Sequence, residues 1–181
     1  LASSSAVYGS LKEKASIGNE PDIYENMYPI TKRFDEFIAR YYTARHEVEC
    51  ISLRYFNTYG IGENTKGQYN SQISKFLSYA VKDEPIIVYG DGTQSRDFIY
   101  VKDAARASLL AFLKGVAGKS YNIGTGISTD FNRIADLIKR ITNSESEIRH
   151  VKNPLKSYQM FTQADISETL ADLEFTPEYD L

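Results

Sequence analysis

Apolar and polar positions alternate along this chain in two periods, and the places where one gives way to the other mark its elements. From Tyr28 to about His46, Phe34, Phe37, Ile38, Tyr41 and Tyr42 recur three and four positions apart, the spacing of one helix face. Pro29 lies in that helix's first turn, where its missing N–H has no intrahelical partner to lose. Glu49 to Phe56 then runs almost continuously apolar, as a buried parallel strand does, and Asn57-Thr58-Tyr59-Gly60 ends it. Leu1 to Ser5 reads as the end of an earlier strand. Strand, long helix and strand predict a right-handed crossover.

The alternation continues to the C-terminus. Ile73, Phe76, Leu77, Ala80 and Val81 predict a helix. Pro85 to Tyr89 predicts a short strand closed by the tight turn Gly90-Asp91-Gly92. Arg96-Asp97 stand just before the apolar Phe98-Ile99-Tyr100-Val101, and Asp103 is placed to cap a helix carrying Ala105, Leu109, Leu110 and Leu113. Ser120 to Gly124 reads as a strand with Thr125-Gly126 as its turn. Thr129 or Asp130 caps the next helix, whose Ile134, Leu137, Ile138 and Ile141 form a core stripe. Glu147 to Val151 predicts a strand, Asn153 to Tyr158 a loop, and Ile166 to Leu173 a short helix.

Composition narrows the class. A chain of 181 residues with a formal net charge of −3 suits one domain or parts of two, with enough apolar content for a core. No basic excess points to a nucleic-acid partner. The single cysteine, Cys50, excludes an internal disulfide framework, and its neighbours Ile51 and Leu53 predict a buried structural thiol. His46 and His150 lie far apart, so no metal site is expected. There is no apolar run long enough to span a bilayer and no signal peptide, and a cytoplasmic protein without a membrane partner is the expectation.

Candidate chemistry centres on Tyr28 and Lys32, which share a helix face at i and i+4. An ammonium held near a phenol favours the phenolate, the form that can take a proton. Taken alone, the pair suits an ordinary helix surface equally well. Ser3 to Gly9 is a small-residue loop at a strand end, where open parallel sheets place ligands, although serine-rich turns are also often only turns. No Gly-x-Gly-x-x-Gly lies between a strand and a helix; Gly60/Gly62, Gly90/Gly92 and Gly124/Gly126 are isolated doublets. The turn that cradles a dinucleotide's pyrophosphate is therefore not found. The chain reads as a fragment whose glycine-rich N-terminal βαβ units lie elsewhere, and these residues alone are expected neither to retain a dinucleotide nor to catalyse a reaction.

Motifs in a recognisable order join these features. Ser-Ser-x-x-Val-Tyr-Gly at Ser3 to Gly9, Tyr-x-x-x-Lys at Tyr28 to Lys32 and Arg-Tyr-Phe-Asn-x-Tyr-Gly at Arg54 to Gly60 come first. Gly-Asp-Gly-x-Gln-x-Arg-Asp-Phe-x-Tyr-Val-x-Asp at Gly90 to Asp103 and Asn-Ile-Gly-Thr-Gly at Asn122 to Gly126 follow. Across essentially its whole length the chain resembles the extended short-chain dehydrogenase/reductases, specifically their NAD-dependent nucleotide-sugar epimerases and dehydratases. The resemblance implies an α/β fold: the C-terminal part of a doubly wound, Rossmann-like parallel sheet plus a smaller mixed α/β substrate domain. Residues 1–60, returning at about 98–125, would belong to the NAD-binding domain, and 61–97 with 126–181 to the substrate domain.

The same resemblance implies roles. Tyr28 would be the general acid and base on a sugar hydroxyl, Lys32 would hold the nicotinamide ribose and activate Tyr28, and Ser4 would share the proton's path. Phe56 would border the nicotinamide, Asn57 would contact the substrate's diphosphate, and Arg96 would pair with a phosphate oxygen. Phe56 could equally be strand core, and Asp97 is expected to orient Arg96 or the chain. The dehydratase branch carries an Asp-Glu pair where Ser5 and Ala6 stand here, so epimerisation is favoured over elimination. The expected activity is that of a UDP-hexose 4-epimerase, an isomerase of carbohydrate metabolism working through a keto-sugar. Lys66 and Tyr158 to Asp165 resemble the second base and C-terminal segment of ADP-heptose 6-epimerases, the competing enzymatic reading, though a loop lysine is usually a solvated one. A truncated, non-catalytic structural or regulatory partner is the alternative of another class. The expected partner is a nucleotide sugar, and the resemblance leaves room for a homodimer.

Overall fold

The computed structural model describes residues 1–21, 23–63, 67–154 and 158–181, with Gln68 described by its backbone alone. In chain order its elements are β1 (Ala2–Ser4), α1 (Met27–His46), β2 (Ser52–Tyr55), β3 (Asn57–Tyr59), α2 (Gln72–Ala80), β4 (Ile86–Tyr89) and β5 (Ser95–Tyr100). They continue with α3 (Val101–Lys114), β6 (Ser120–Ile123), β7 (Ser128–Asp130), α4 (Phe131–Thr142), β8 (Ile148–Val151) and α5 (Ser167–Leu173). A one-turn 3₁₀ helix, Ser5–Tyr8, leaves the end of β1.

β1, β2 and β6 form a parallel sheet with β2 in the middle, Ser4 lying opposite Tyr55 and Tyr55 opposite Ile123. The chain leaves that sheet at Phe56. β3 pairs in parallel with β5, Asn57 opposite Phe98, and β5 pairs antiparallel with β7, Arg96 opposite Thr129. β4 and β8 form a separate parallel pair. The strand expected over Glu49 to Phe56 is the shorter β2, and Asn57-Thr58-Tyr59, expected to end it, forms a second strand in another sheet. Arg96 and Asp97, expected just outside a strand, lie within β5.

Helix starts follow side-chain chemistry. Asn26 accepts from the Tyr28 N–H at 3.1 Å, Ser71 from Ser74 N at 3.2 Å and Asp130 from Arg133 N at 2.8 Å, each satisfying a donor that the first turn leaves unpaired. Asp103 does not cap α3, which begins at Val101 with Tyr100 as its cap residue. Its buried carboxylate instead accepts from the N–H groups of Glu178 and Tyr179 at 3.0 to 3.1 Å and pairs with Arg106.

Leu53, Ile99, Tyr121, Ile123, Leu173 and Phe175 build a core around the first sheet with Ala104, Ala107 and Ala111 of α3. Phe76, Ile86, Val88, Phe98, Phe131 and Ile134 build a second. Two stripes face other than expected. α3 buries Ala104, Ala107 and Ala111, whose small side chains let it lie close to the sheet, while Ala105, Leu109 and Leu113 are exposed. α1 buries Pro29, Glu36 and Ala39, and Phe34, Phe37, Ile38, Tyr41 and Tyr42 are exposed. In α4, Ile134 and Ile138 are buried but Ile141 is not. Cys50, expected buried, is half-buried.

Candidate active site

The end of β1 and the first turns of α1 meet side by side. Lys32 Nζ donates to the Ala2 carbonyl at 3.0 Å and lies 3.6 Å from Asp35 Oδ2. Ser4, two residues along, accepts from Ala6 N at 3.1 Å through Oγ, which leaves its O–H free to donate. Tyr28 stands one turn before Lys32 on the same face, 54% exposed, its hydroxyl without a partner among the described residues. It borders a cavity of about 410 Å³ walled also by Tyr8, Gly9, Asn26 and Gln159. Ser4 thus stands at the carboxyl end of β1, Lys32 is tied to that strand through the Ala2 carbonyl, and no hydrogen bond joins the Tyr28 hydroxyl to either among the described residues.

Beneath it lies a buried polar network that motif reading missed. Arg54 Nε and Nη2 donate to the two oxygens of Glu36 at 2.8 and 2.7 Å, and Arg54 Nη1 donates to the Tyr8 hydroxyl at 2.9 Å and to Glu20. Arg33 reaches the same Glu36 at 2.8 Å, and Ser3 Oγ donates to it at 2.5 Å. Tyr8 donates onward to Asn122 Oδ1 at 2.6 Å. Burial pushes the Tyr8 phenol up to about 12, a group that stays protonated. Burial works against charge on Arg54, but its bonds to Glu36 and the charges around it hold it above its ordinary range. The sequence signal was a charged residue inside an apolar strand run, which demands a buried counter-charge.

Arg96 is the contrasting case. It is 8% exposed, yet its guanidinium makes no ion pair among the described residues. It donates to the carbonyls of Ser95 at 2.8 Å and of Gln159, and stacks over the rings of Phe131 and Tyr158 at 5.6 and 5.4 Å. Burial without a counter-charge pulls it below the usual arginine range. Arg96 lines a second cavity of about 340 Å³ shared with Asn57, Thr58, Tyr69, Phe131 and Tyr158. A buried cation with spare donors suits an anionic ligand.

The other expected residues fall into place unevenly. Asn57 shares the Arg96 cavity, but its amide N–H groups go to the Asp97 carbonyl at 3.1 Å and Thr162 Oγ1 at 3.2 Å, so a phosphate would have to compete for them. Phe56 is 4% exposed and packs with Val7, Tyr8, Ala15 and Ala164, its ring 6.2 Å from that of Tyr8. Lys66 lies outside the described residues. Asp97 makes no bond to Arg96; it accepts from Thr125 N and Oγ1, Gly126 N and Ala164 N at 2.7 to 2.9 Å, tying three segments together. Burial pushes its carboxyl up, an effect those donors only partly offset. Gly124 permits that approach: a Cβ there would lie 2.7 Å from Ala164 Cβ and 2.9 Å from Asp97 Oδ2.

The parallel sheet of β1, β2 and β6, with α1 and α3 in its connections, belongs to a Rossmann-like α/β fold. Residues 1–124 match the NAD dependent epimerase/dehydratase family, and the chain belongs to it. It is 32% identical over 181 residues to a Methanocaldococcus jannaschii protein provisionally named UDP-glucose 4-epimerase, covering 99% of this chain and 57% of that one. A solved UDP-N-acetylglucosamine 4-epimerase of Methanobrevibacter ruminantium, bound to UDP-N-acetylmuramic acid, aligns over 99% of this chain and 57% of its own with TM-score 0.91 and 30% identity. The Helicobacter pylori ADP-L-glycero-D-manno-heptose-6-epimerase aligns with TM-score 0.82 and 32% identity, over 99% of this chain and 54% of that one. The chain spans about half the length of the curated relatives it matches. The family's cofactor is NAD. Among the described residues the Tyr28 hydroxyl has no partner and the Lys32 ammonium donates to one carbonyl, so both have donors to offer a polar group such as a ribose hydroxyl.

Proposed function

We propose that the complete protein is an NAD-dependent nucleotide-sugar epimerase acting at C4 of a UDP-hexose. The observation that carries this reading is a pair of cavities, one bordered by Tyr28 and Gln159 and the other lined by Arg96, which has no ion pair among the described residues, with the Gln159 carbonyl accepting from Arg96. Residues 1–60 and 98–125 would form the cofactor side, and 61–97 with 126–181 the substrate side, Leu173 and Phe175 resting on the first sheet. Lys32 and Tyr28 would hold the nicotinamide ribose. When bound, NAD supplies the hydride acceptor and donor. Tyr28 takes the proton of the sugar's 4-hydroxyl as that carbon is oxidised, and returns it after the keto-sugar has turned over. Lys32 stabilises the phenolate, and Ser4 donates to the same sugar oxygen. Arg96 receives the diphosphate, with Asn57 at its side.

A second reading is an ADP-heptose 6-epimerase, favoured by the match to the Helicobacter pylori enzyme and by the position of Tyr158 and Gln159 at the two cavities. Lys66 would then be a second base. Incubating the complete protein and NAD with a panel of UDP-hexoses and ADP-heptose separates the two. Interconversion of UDP-hexoses supports the first reading, and turnover of ADP-heptose alone overturns it.

A further inference from the structure

Residues 160 to 162 are tied to the start of β5. Ser95 N donates to the Met160 carbonyl at 2.9 Å, and Thr162 N to the Ser95 carbonyl at 3.1 Å. Just before them, Tyr158 lines the Arg96 cavity while Gln159 lines the Tyr28 cavity. Gln159 is tied on both sides. Its backbone carbonyl accepts from Arg96 Nη2, and its side-chain Nε2 donates to the Gly9 carbonyl at 2.6 Å. With the nitrogen committed, the amide oxygen is the atom left over, and it has no partner among the described residues.

We infer that Gln159 is a specificity-determining residue: its amide oxygen accepts a hydrogen bond from a hexose hydroxyl, and its carbonyl fixes the distance from that hydroxyl to the diphosphate at Arg96. The inference rests on the nucleotide-sugar reading and names the group that recognises the sugar moiety within it. One residue supplies both ends of the measurement, so the nucleotide end is held by backbone and the sugar end by side chain. A site that pairs with a ligand hydroxyl penalises ligands lacking it.

The two ends are separable by substitution, because Gln159→Met keeps the carbonyl and the side-chain length while deleting the amide. Calorimetric titration of the complete, NAD-loaded protein with UDP and with UDP-glucose reads them independently, and ADP with ADP-heptose serves if that is the pair the wild type binds. Gln159→Met is expected to bind the nucleoside diphosphate within about 2-fold of wild type and the nucleotide sugar about 5- to 10-fold more weakly, the loss of one hydrogen bond. Retained diphosphate binding also shows that the variant is folded. If it is not, Gln159→Asn, which withdraws the amide by one methylene, is titrated with the same expectation. Unchanged nucleotide-sugar affinity, or equal weakening of both ligands, overturns the inference while leaving the epimerase reading standing. A wild-type protein that binds no nucleoside diphosphate overturns both.

Discussion

Glu36 and Arg54 face each other through two parallel hydrogen bonds of 2.8 and 2.7 Å, with both side chains at most 1% exposed. Glu36 lies one turn beyond Lys32 on α1 and also holds Ser3, the neighbour of Ser4. The pair therefore fixes the register between the helix that carries Tyr28 and the strand that carries Ser4. Glu36→Gln leaves Arg54 and Arg33 sharing Glu20, and disrupting a buried pair from one side costs up to about 3–5 kcal/mol. Urea unfolding should show that loss, and an unchanged midpoint would contradict it.

The same carboxylate predicts a pH dependence. Burial alone would raise Glu36, but the hydrogen bonds and charge of Arg54, with the bonds from Ser3 and Arg33, outweigh it and hold the group below its ordinary value. The folded state then binds this proton less readily than the unfolded state. Its contribution is fully present above the unfolded value of about 4.3 and is lost as pH falls through the lower, folded value. Urea melts between pH 7 and 3 should show wild-type stability falling toward acid, and Glu36→Gln falling less over that window. Parallel curves would assign the acid loss to other groups.

The helix from Met27 to His46 was legible because its first-turn proline and its periodicity agree. The orientation of its stripe was not, since periodicity marks an apolar face without saying what covers it. α3 misled for a related reason: leucine outranks alanine as a core residue, yet alanine suits close helix–sheet packing at Ala104, Ala107 and Ala111. The motifs led to Tyr28, Lys32, Ser4 and Arg96. Glu36 and Gln159 were not legible, because their contacts span 18 to 150 residues and depend on how elements pack. The switch of sheets at Phe56 was hidden because the polar Asn57-Thr58 reads as a strand end, whereas Asn57–Tyr59 pairs with β5, distant in sequence.

Arg96 offers a test in which binding and stability part company. A buried, unpaired guanidinium is a burden on the fold, so Arg96→Met should leave unfolding stability within about 1 kcal/mol of wild type. Loss of a charge-assisted contact should weaken UDP binding about 10- to 100-fold. Equal binding by the variant would show that the anion lies elsewhere.

Lys32 is expected to act through charge. Lys32→Ala should cut turnover by at least the roughly 10²-fold typical of lost acid–base assistance. Lys32→Arg, which keeps the charge, should retain more turnover than Lys32→Ala. An equal deficit in the two variants would contradict a role through charge.

The most direct test of the proposed chemistry is proton NMR of the complete protein with NAD and UDP-glucose, comparing wild type with Tyr28→Phe. The wild type should generate the C4 epimer and approach an equilibrium mixture. Tyr28→Phe should bind UDP-glucose with similar affinity but interconvert it at least about 10²-fold more slowly. A Tyr28→Phe protein with wild-type interconversion, or a wild type that leaves every sugar of the UDP-hexose and ADP-heptose panel unchanged, would contradict the account.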